Sequence, residues 1–409
     1  MHRLVNTLPA YNKMMAISTT ITGQSRIINL ECPACGAQYD ASKPNTFCIT
    51  DGCNSTLFAQ YDLSRPLDKT ILKDRPASMW RYRELLPVIN AESIVTMGEG
   101  FTPIIPIKNL VKDTGGNKVF WKNEAGNPTG SFKARGIGMA VSKAKELGIT
   151  SIATPTAGNA GGALAAYAAR GAVKAIVYMP RLTPQVFKDE CRLYGAELVE
   201  VDGNIADCGK LVAEGAEEHG WFQISTLKEP YRLEGKKTMG FEIAEQFNWD
   251  LPDVIFYPTG GGTGLIGIWK AFDELEQLGW IGSKRPRMVA VQSESCDGIV
   301  TAFNSGHSSA EFVDGGFTIA NGLRVPKSFA DKLILKVLRD SKGTAITVSD
   351  MEMNAGIKEI ASHEGMLIAP EGAALWQAYK KLKSSGWINA GETVVLVNTG
   401  SGYKYLENI

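Results

Sequence analysis

Short apolar runs alternate with amphipathic stretches along most of this chain. The runs "SIATPTA" (151–157), "AIVYMP" (175–180), "ELVEV" (197–201), "DVIFYPTG" (253–260), "RMVAVQS" (287–293) and "TVVLVNTG" (393–400) are rich in β-branched residues and of strand length. Between them, 159–170, 184–194, 205–219, 235–248, 264–278 and 371–385 carry helical spacing. Strand and helix in turn predict an α/β fold of open parallel sheets covered by helices. Several strands end in Gly, Thr or Ser just where a helix begins. In open α/β sheets those carboxyl ends are where ligands sit.

The length of 409 residues exceeds one ordinary core and predicts several domains. A flexible leader is expected at 1–27, a cysteine-rich module at 28–66, a large domain from 67–140 and 236–409, and a small domain, 141–235, inserted in it. A polar, Pro-containing stretch near 64–78 reads as the link between the module and the rest. With 43 basic and 43 acidic residues the formal charge is zero, which argues against nucleic acid and acidic membranes as partners. No apolar run reaches the length of a membrane span. The first 30 residues hold only Arg3, Lys13 and Arg26 as basic residues and no apolar core, unlike a secretory signal. Their lack of acidic residues leaves an organelle-targeting reading open beside that of a leader.

Seven cysteines, an odd number, speak against a secreted disulfide framework and for a reducing cytoplasm. Cys191, Cys208 and Cys296 read as small buried thiols. Cys32, Cys35, Cys48 and Cys53 are spaced C-x2-C-x12-C-x4-C, with Gly36 and Gly52 beside the pairs. Two such pairs can fold a short ribbon around a tetrahedral structural zinc. A ribbon without metal is the alternative.

Three strand ends carry candidate chemistry. In "YPTGGGTGLIGIWKAF" (257–272) a strand runs into Gly260, Gly261, Gly262, Thr263 and Gly264, then a helix. Backbone N–H groups there can close around a phosphate, helped by the helix dipole. No Gly-Lys-Ser/Thr makes it a P-loop, and a plain tight turn is the alternative. In "TPTAGNAGGALAAYAARGA" (154–172), Thr156, Gly158 and Asn159 precede an Ala-rich helix. That loop can offer donors to a carboxylate, and its amide can reach a phenolic oxygen; an ordinary cap would look the same. In "VVLVNTGSGYKY" (394–405), a hydroxyl near Thr399 can meet a neutral ring nitrogen. The decisive addition is "NPTGSFKARG" (127–136), which holds Lys133 among small residues after Pro128 and Gly130. A lysine, a phosphate cradle and a hydroxyl at a strand end together suit pyridoxal 5'-phosphate bound covalently.

From about residue 79 onward the chain resembles the tryptophan-synthase-β class of pyridoxal-phosphate enzymes (fold type II), and within it the threonine synthases. The motifs are "NPTGSFKARG" (127–136), "TAGNA" (156–160), "RLEGKKT" (232–238), "PEGAA" (370–374) and "TGSGYK" (399–404), with a cysteine ribbon before them. The resemblance implies two sheet domains with the cofactor in the cleft between them, and a homodimer. It makes Lys133 the covalent anchor and proton-carrying base, with Phe132 beside the ring. Asn159 would meet the cofactor's 3-oxygen, Gly260 to Gly264 its phosphate and Thr399 its nitrogen. Ser225, Lys228 and Arg232 would receive the phosphate of O-phospho-L-homoserine, and Thr156, Ala157, Gly158 and Ala160 the substrate carboxylate. Many threonine synthases read Ser-Phe-Lys-Asp-Arg-Gly where this chain has Ala134; threonine and serine dehydratases often carry an apolar residue there. A threonine or serine ammonia-lyase, or a β-replacing synthase, is thus the rival enzyme, and a scaffold that kept the fold is the non-enzymatic one. The charges of "EPYRLEGKKT" (229–238) favour the phosphorylated substrate unless they are a solvated helix start.

Overall fold

The computed structural model describes residues 23–112 and 116–408. The expected leader therefore lies largely outside the described residues, but its last part is tied down. The Arg26 N–H donates to the Glu84 carbonyl at 2.9 Å, and Ile27 opens the first strand. That strand, β1 (Ile27–Glu31), pairs antiparallel with β2 (Gln38–Tyr39) and β3 (Phe58–Tyr61) to form the ribbon.

Two larger sheets follow. Along the chain come β4 (Ile104–Pro106), β5 (Lys118–Asn123), β6 (Ser151–Pro155), β7 (Lys174–Pro180), β8 (Glu197–Val201), β9 (Phe222–Gln223), β10 (Val254–Pro258), β11 (Arg287–Ser293), β12 (Thr344–Val348) and β13 (Thr393–Asn398). One sheet has the order β12-β11-β10-β13-β5-β4 and is parallel except for the edge strand β4. The other has the order β8-β7-β6-β9 and is parallel throughout. The runs "VIFYP" of β10 and "TVVLVN" of β13 are buried almost end to end, as strands covered on both faces must be.

The helices are α1 (Lys133–Glu146), α2 (Asn159–Gly171), α3 (Gln185–Leu193), α4 (Ile205–His219), α5 (Tyr231–Gln246), α6 (Thr263–Gln277), α7 (Gly298–Asn304), α8 (Asp331–Asp340), α9 (Asp350–Glu364) and α10 (Pro370–Ser384). Helices α1, α5 and α6 pack side by side. Their closest crossing depends on Gly235, where a Cβ would run into the Arg135 carbonyl.

The six strands and six helices expected from periodicity are present, with ends shifted by a few residues. The largest shift is α5, expected from 235 but opening at Tyr231. The Glu229 carboxylate caps it, accepting from the N–H groups of Tyr231 at 2.8 Å and Arg232 at 3.0 Å. The solvated-start reading of this segment is overturned, since Arg232, Lys236 and Lys237 are 2%, 1% and 0% exposed. Lys237 and Lys270 pair with Glu234 and Glu274. The Tyr61 hydroxyl donates to Glu234 at 2.8 Å, so this buried cluster fastens the ribbon to α5 and α6.

A second buried cluster stands behind the start of α1. The Arg135 guanidinium donates to Glu124 at 2.6 Å and to Glu242 at 2.7 Å, and Lys122 reaches Glu242 at 2.7 Å. All four side chains are fully buried. It joins the end of β5 to α1 and α5.

Candidate active site

Lys133 is held by two loops zipped together at the carboxyl end of the large sheet. The Phe132 N–H donates to the Thr399 carbonyl at 3.0 Å, and the Ser401 N–H to the Gly130 carbonyl at 2.9 Å. Ser131 and Gly400 form a bridge between these contacts. Lys404 closes the zip by donating from Nζ to the Thr129 carbonyl at 2.8 Å. Gly130 turns the chain with φ of 65°, in the left-handed region that favours glycine. Lys133 is the first residue of α1, and its Nζ lies 4.7 Å from the Phe132 ring centroid. Burial, then the neighbouring Arg232 charge, pushes its ammonium down to about 8, with Glu371 opposing. A lysine so placed is far more often a free, nucleophilic amine than one on the surface.

The amine opens into a cavity of about 590 Å³ between the two parallel sheets. Gly260, Gly261, Gly262 and Thr263 form part of its wall. A Cβ at Gly260 would run into the Gly322 carbonyl, and one at Gly262, with φ of 73°, into Ile334. Bare backbone is therefore required where α6 begins, and no acidic side chain sits in its first turn. Ser328, also on the cavity wall, fixes the loop by donating to the Gly261 carbonyl at 3.0 Å. Gly264 lies just past the cavity, packed against the Tyr257 hydroxyl.

On the opposite sheet Asn159 opens α2 and reaches the cavity. Its Nδ2 stands 3.4 Å from the Tyr405 hydroxyl, while its Oδ1 is buried with no partner. Tyr405 in turn donates to Glu371 at 3.1 Å, and Glu371 accepts from the Gly322 N–H at 2.7 Å. Burial raises the Glu371 carboxyl above its ordinary range. Thr399 and Phe132 also line the cavity. These residues fit pyridoxal phosphate: backbone donors without side chains for a phosphate, an orphaned amide for a phenolic oxygen, and a lysine amine.

The expected substrate residues divide. Ser225 and Lys228 line the cavity. Arg232 does not; its guanidinium is turned to the Ile224 carbonyl and to Glu229, and its Nε has no hydrogen-bond partner. Of the segment 156–160 only Asn159 reaches the wall, and Thr156 bonds locally to the Gly158 N–H at 3.1 Å. Lys210, Lys236, Lys327 and Glu371 line the cavity too; of these, sequence reasoning points only to Lys236, as one of the charges of 229–238 that favour a phosphorylated substrate. Lys236 falls within the motif "RLEGKKT", and α4 repeats small residues and Lys210 on one face (Ala206, Gly209, Lys210, Ala213). Nothing in the sequence marks Lys327.

In the ribbon, the sulfur atoms of Cys32, Cys35, Cys48 and Cys53 all lie within 4.8 Å of one another. Cys32 and Cys53 are 3.5 Å apart, and Cys35 and Cys48 3.6 Å. Tetrahedral zinc with four thiolates sets sulfurs roughly 3.8 Å apart, so the set fits that ion. The other three cysteines are buried, as expected of small packing thiols. Phe47, next to Cys48, packs edge-on against Phe329 of the cavity wall at 6.0 Å.

The pyridoxal-phosphate dependent enzyme family matches residues 95–400. The chain is 34% identical to the threonine synthase of Methanocaldococcus jannaschii, over 91% of this chain and 92% of that protein. It is 35% identical to the threonine synthase of Methanosarcina acetivorans, over 91% of each. Among solved structures, maize serine racemase superposes with a TM-score of 0.63 at 24% identity, over 75% of this chain and 92% of that one. The processed form of threonine deaminase isoform 2 from Solanum lycopersicum does so with a TM-score of 0.62 at 20% identity, over 73% and 79%. At that identity the last two speak for the fold.

Proposed function

The chain belongs to the pyridoxal-phosphate dependent enzymes and, within them, to the threonine synthases, and from there we propose that it converts O-phospho-L-homoserine and water to L-threonine and phosphate. One observation carries the choice of a phosphorylated substrate. Besides the anchoring Lys133 and the buried Lys236, the cavity wall sets Lys210, Lys228 and Lys327 against one carboxylate, Glu371. Threonine or serine brings a single carboxylate, balanced by its own ammonium. A cofactor phosphate and a substrate phosphate together call for such an excess of cations.

Bound pyridoxal phosphate supplies the sink for the electron pair left when a proton leaves Cα. Lys133 would anchor it and, once released, would carry that proton. The backbone from Gly260 to Thr263, at the start of α6, would hold the cofactor phosphate, Asn159 would orient the ring through its phenolic oxygen, and the Thr399 hydroxyl would meet the ring nitrogen. Phe132 supports the anchoring amine from the side. Lys228 and Ser225 take the substrate phosphate. Arg232 acts behind them, bracing the Ile224 carbonyl next to Ser225. The Thr156–Ala160 turn receives the substrate carboxylate from its Asn159 end.

Phosphate release from O-phosphohomoserine, with no ammonia from threonine, is the expected result. Ammonia without phosphate release would assign the ammonia-lyase activity instead. Lys228→Met is expected to raise KM about 10–100-fold, the worth of one charge-assisted hydrogen bond, with the cofactor spectrum unchanged. Steady-state kinetics beside an absorbance scan checks this.

The same reading gives the cysteine ribbon one structural Zn²⁺. Elemental analysis should find one zinc per chain, and Cys48→Ser should lose it and lower the melting temperature. The homodimer, the cytoplasm, the leader before β1 and the insertion of 141–235 in the large domain complete the proposal. Three buried, unpaired cysteines support a reducing compartment, and among the described residues no helix is long and apolar enough to cross a membrane.

A further inference from the structure

We propose that Phe329 and Phe47 are positioning residues for the substrate. The Phe329 ring seats the Lys228 ammonium where the substrate phosphate docks, and Phe47 of the cysteine ribbon holds that ring in place. The inference deepens the function proposed above and rests on it, since it takes Lys228 as the partner of that phosphate.

Lys228 needs such a seat. It lies half-buried on the cavity wall, and among the described residues its Nζ meets no carboxylate and no hydrogen-bond acceptor. What it meets is the Phe329 ring, whose centroid is 5.6 Å away. A lysine left alone spreads over many rotamers, which an arriving anion would have to freeze. A carboxylate could also fix it, but would compete with the phosphate for its charge. An aromatic ring attracts the ammonium and leaves its N–H donors free. The main chain is arranged to the same end. Leu227, buried just before Lys228, has φ of 63°, a left-handed conformation that costs a residue with a side chain. The Lys228 N–H then closes the turn on the Ser225 carbonyl at 3.1 Å, so that both residues reach the same cavity. The other rim lysines lack this seat: Lys210 pairs with Glu214 at 3.7 Å, and Lys327 is exposed.

Phe329 ends a segment, 325–329, that has no regular structure and lines the cavity at every residue. Its ring is supported from the ribbon. The Phe47 and Phe329 centroids are 6.0 Å apart with planes at 68°, an edge-on contact. Phe47 is itself firmly placed. On one side Asn45 Nδ2 donates to the carbonyls of Asp40 and Lys43, both at 2.8 Å. On the other, the buried Cys48 donates its N–H to the Ser55 carbonyl at 2.8 Å and accepts from the Tyr39 hydroxyl at 3.2 Å. Three side chains, Phe47, Phe329 and Lys228, thus run from the ribbon to the anion, and the ribbon becomes the outer layer of the substrate site.

The test compares KM, kcat and the affinity for inorganic phosphate, the last by calorimetry on the cofactor-loaded protein. Phe47→Ala should raise KM and the phosphate dissociation constant together by about 3–10-fold, the range for one aromatic contact. The kcat and the cofactor's absorbance band and affinity should stay at wild-type values, because Ser328 holds the cradle by its own bond. Phe47→Tyr, which keeps the ring, should behave as wild type. In a Lys228→Met background Phe47→Ala should change neither constant, since the ring acts through that ammonium. The inference is overturned if Phe47→Ala leaves both constants unchanged, or if kcat or cofactor affinity falls in step with them. It is also overturned if the effect persists without Lys228. Should Phe47→Ala not fold, Phe329→Leu decides: it fills the wall without a ring, and wild-type constants there would sink the inference equally. A wild-type protein that binds phosphate with this dependence on Phe47, yet releases none from O-phosphohomoserine, keeps the seat and removes the proposed function.

Discussion

Lys133→Ala is expected to give a colourless protein whose phosphate release is down by about 10⁴-fold. The effect is large because one amine does two jobs, holding the cofactor covalently and moving the Cα proton. The loops that fix it do so through backbone atoms of Thr129, Gly130 and Phe132, which the substitution leaves intact. Folding should therefore be unaffected, and circular dichroism would show it. In the wild-type protein the rate of cofactor capture should rise as pH passes through about 8. Below that value Lys133 carries a proton and cannot attack the aldehyde; above it the amine is free. A yellow, borohydride-sensitive and fully active Lys133→Ala protein would remove the catalytic account at its root.

Arg135→Met should cost about 3–5 kcal/mol of stability, measured as the shift of the urea midpoint. The loss comes from what is left behind. Glu124 and Glu242 are fully buried, and without the guanidinium Glu124 loses its only ionic partner in the cluster while Glu242 keeps Lys122. The same cluster predicts a direction in pH. Burial alone would raise the Glu242 carboxyl, but Arg135 and Lys122 overcome it and hold the group at about 2, against an ordinary 4.5. A carboxyl depressed in the folded state contributes in full above its unfolded value. The contribution fades as pH falls from 4.5 towards 2. Wild-type stability should drop across that window, and Glu242→Gln should be weaker at neutral pH with a flatter acid limb. Acid titrations of both proteins by circular dichroism would show whether the limbs differ.

What the sequence discloses follows from how local each signal is. Helix α4 is legible at 205–219 because Asn204 caps it and Gly220, with φ of 70°, ends it. The glycine cradle and Lys133 are readable because both need special backbone within a few residues. Strand β5, "KVFWKN", escapes periodicity: its lysines read as polar, and only the fold shows that Lys122 is neutralised by Glu242 from 120 residues away. Helix α1 escapes it as well, since Gly136 and Gly138 dilute its propensity, and a Cβ at either would strike α5 or Tyr167. Arg232 and Lys236 show the same limit from the other side. Both are basic residues on one helix, one turn apart, yet the fold points one at a carbonyl and the other at the cavity. Nothing local to α5 separates them.

Strand β13 sits between β10 and β5 in the large sheet, although it is the last of these to be synthesised. While the ribosome is still making residues 393–404, β5 and β10 have no neighbour to join them, and Phe132 has no Thr399 carbonyl to bond. The vitamin-binding pocket is therefore a late product of translation. An interrupted polypeptide, even one lacking only this segment, should leave two sticky sheet edges and no means of retaining the cofactor, which makes it a natural client for chaperones and proteases.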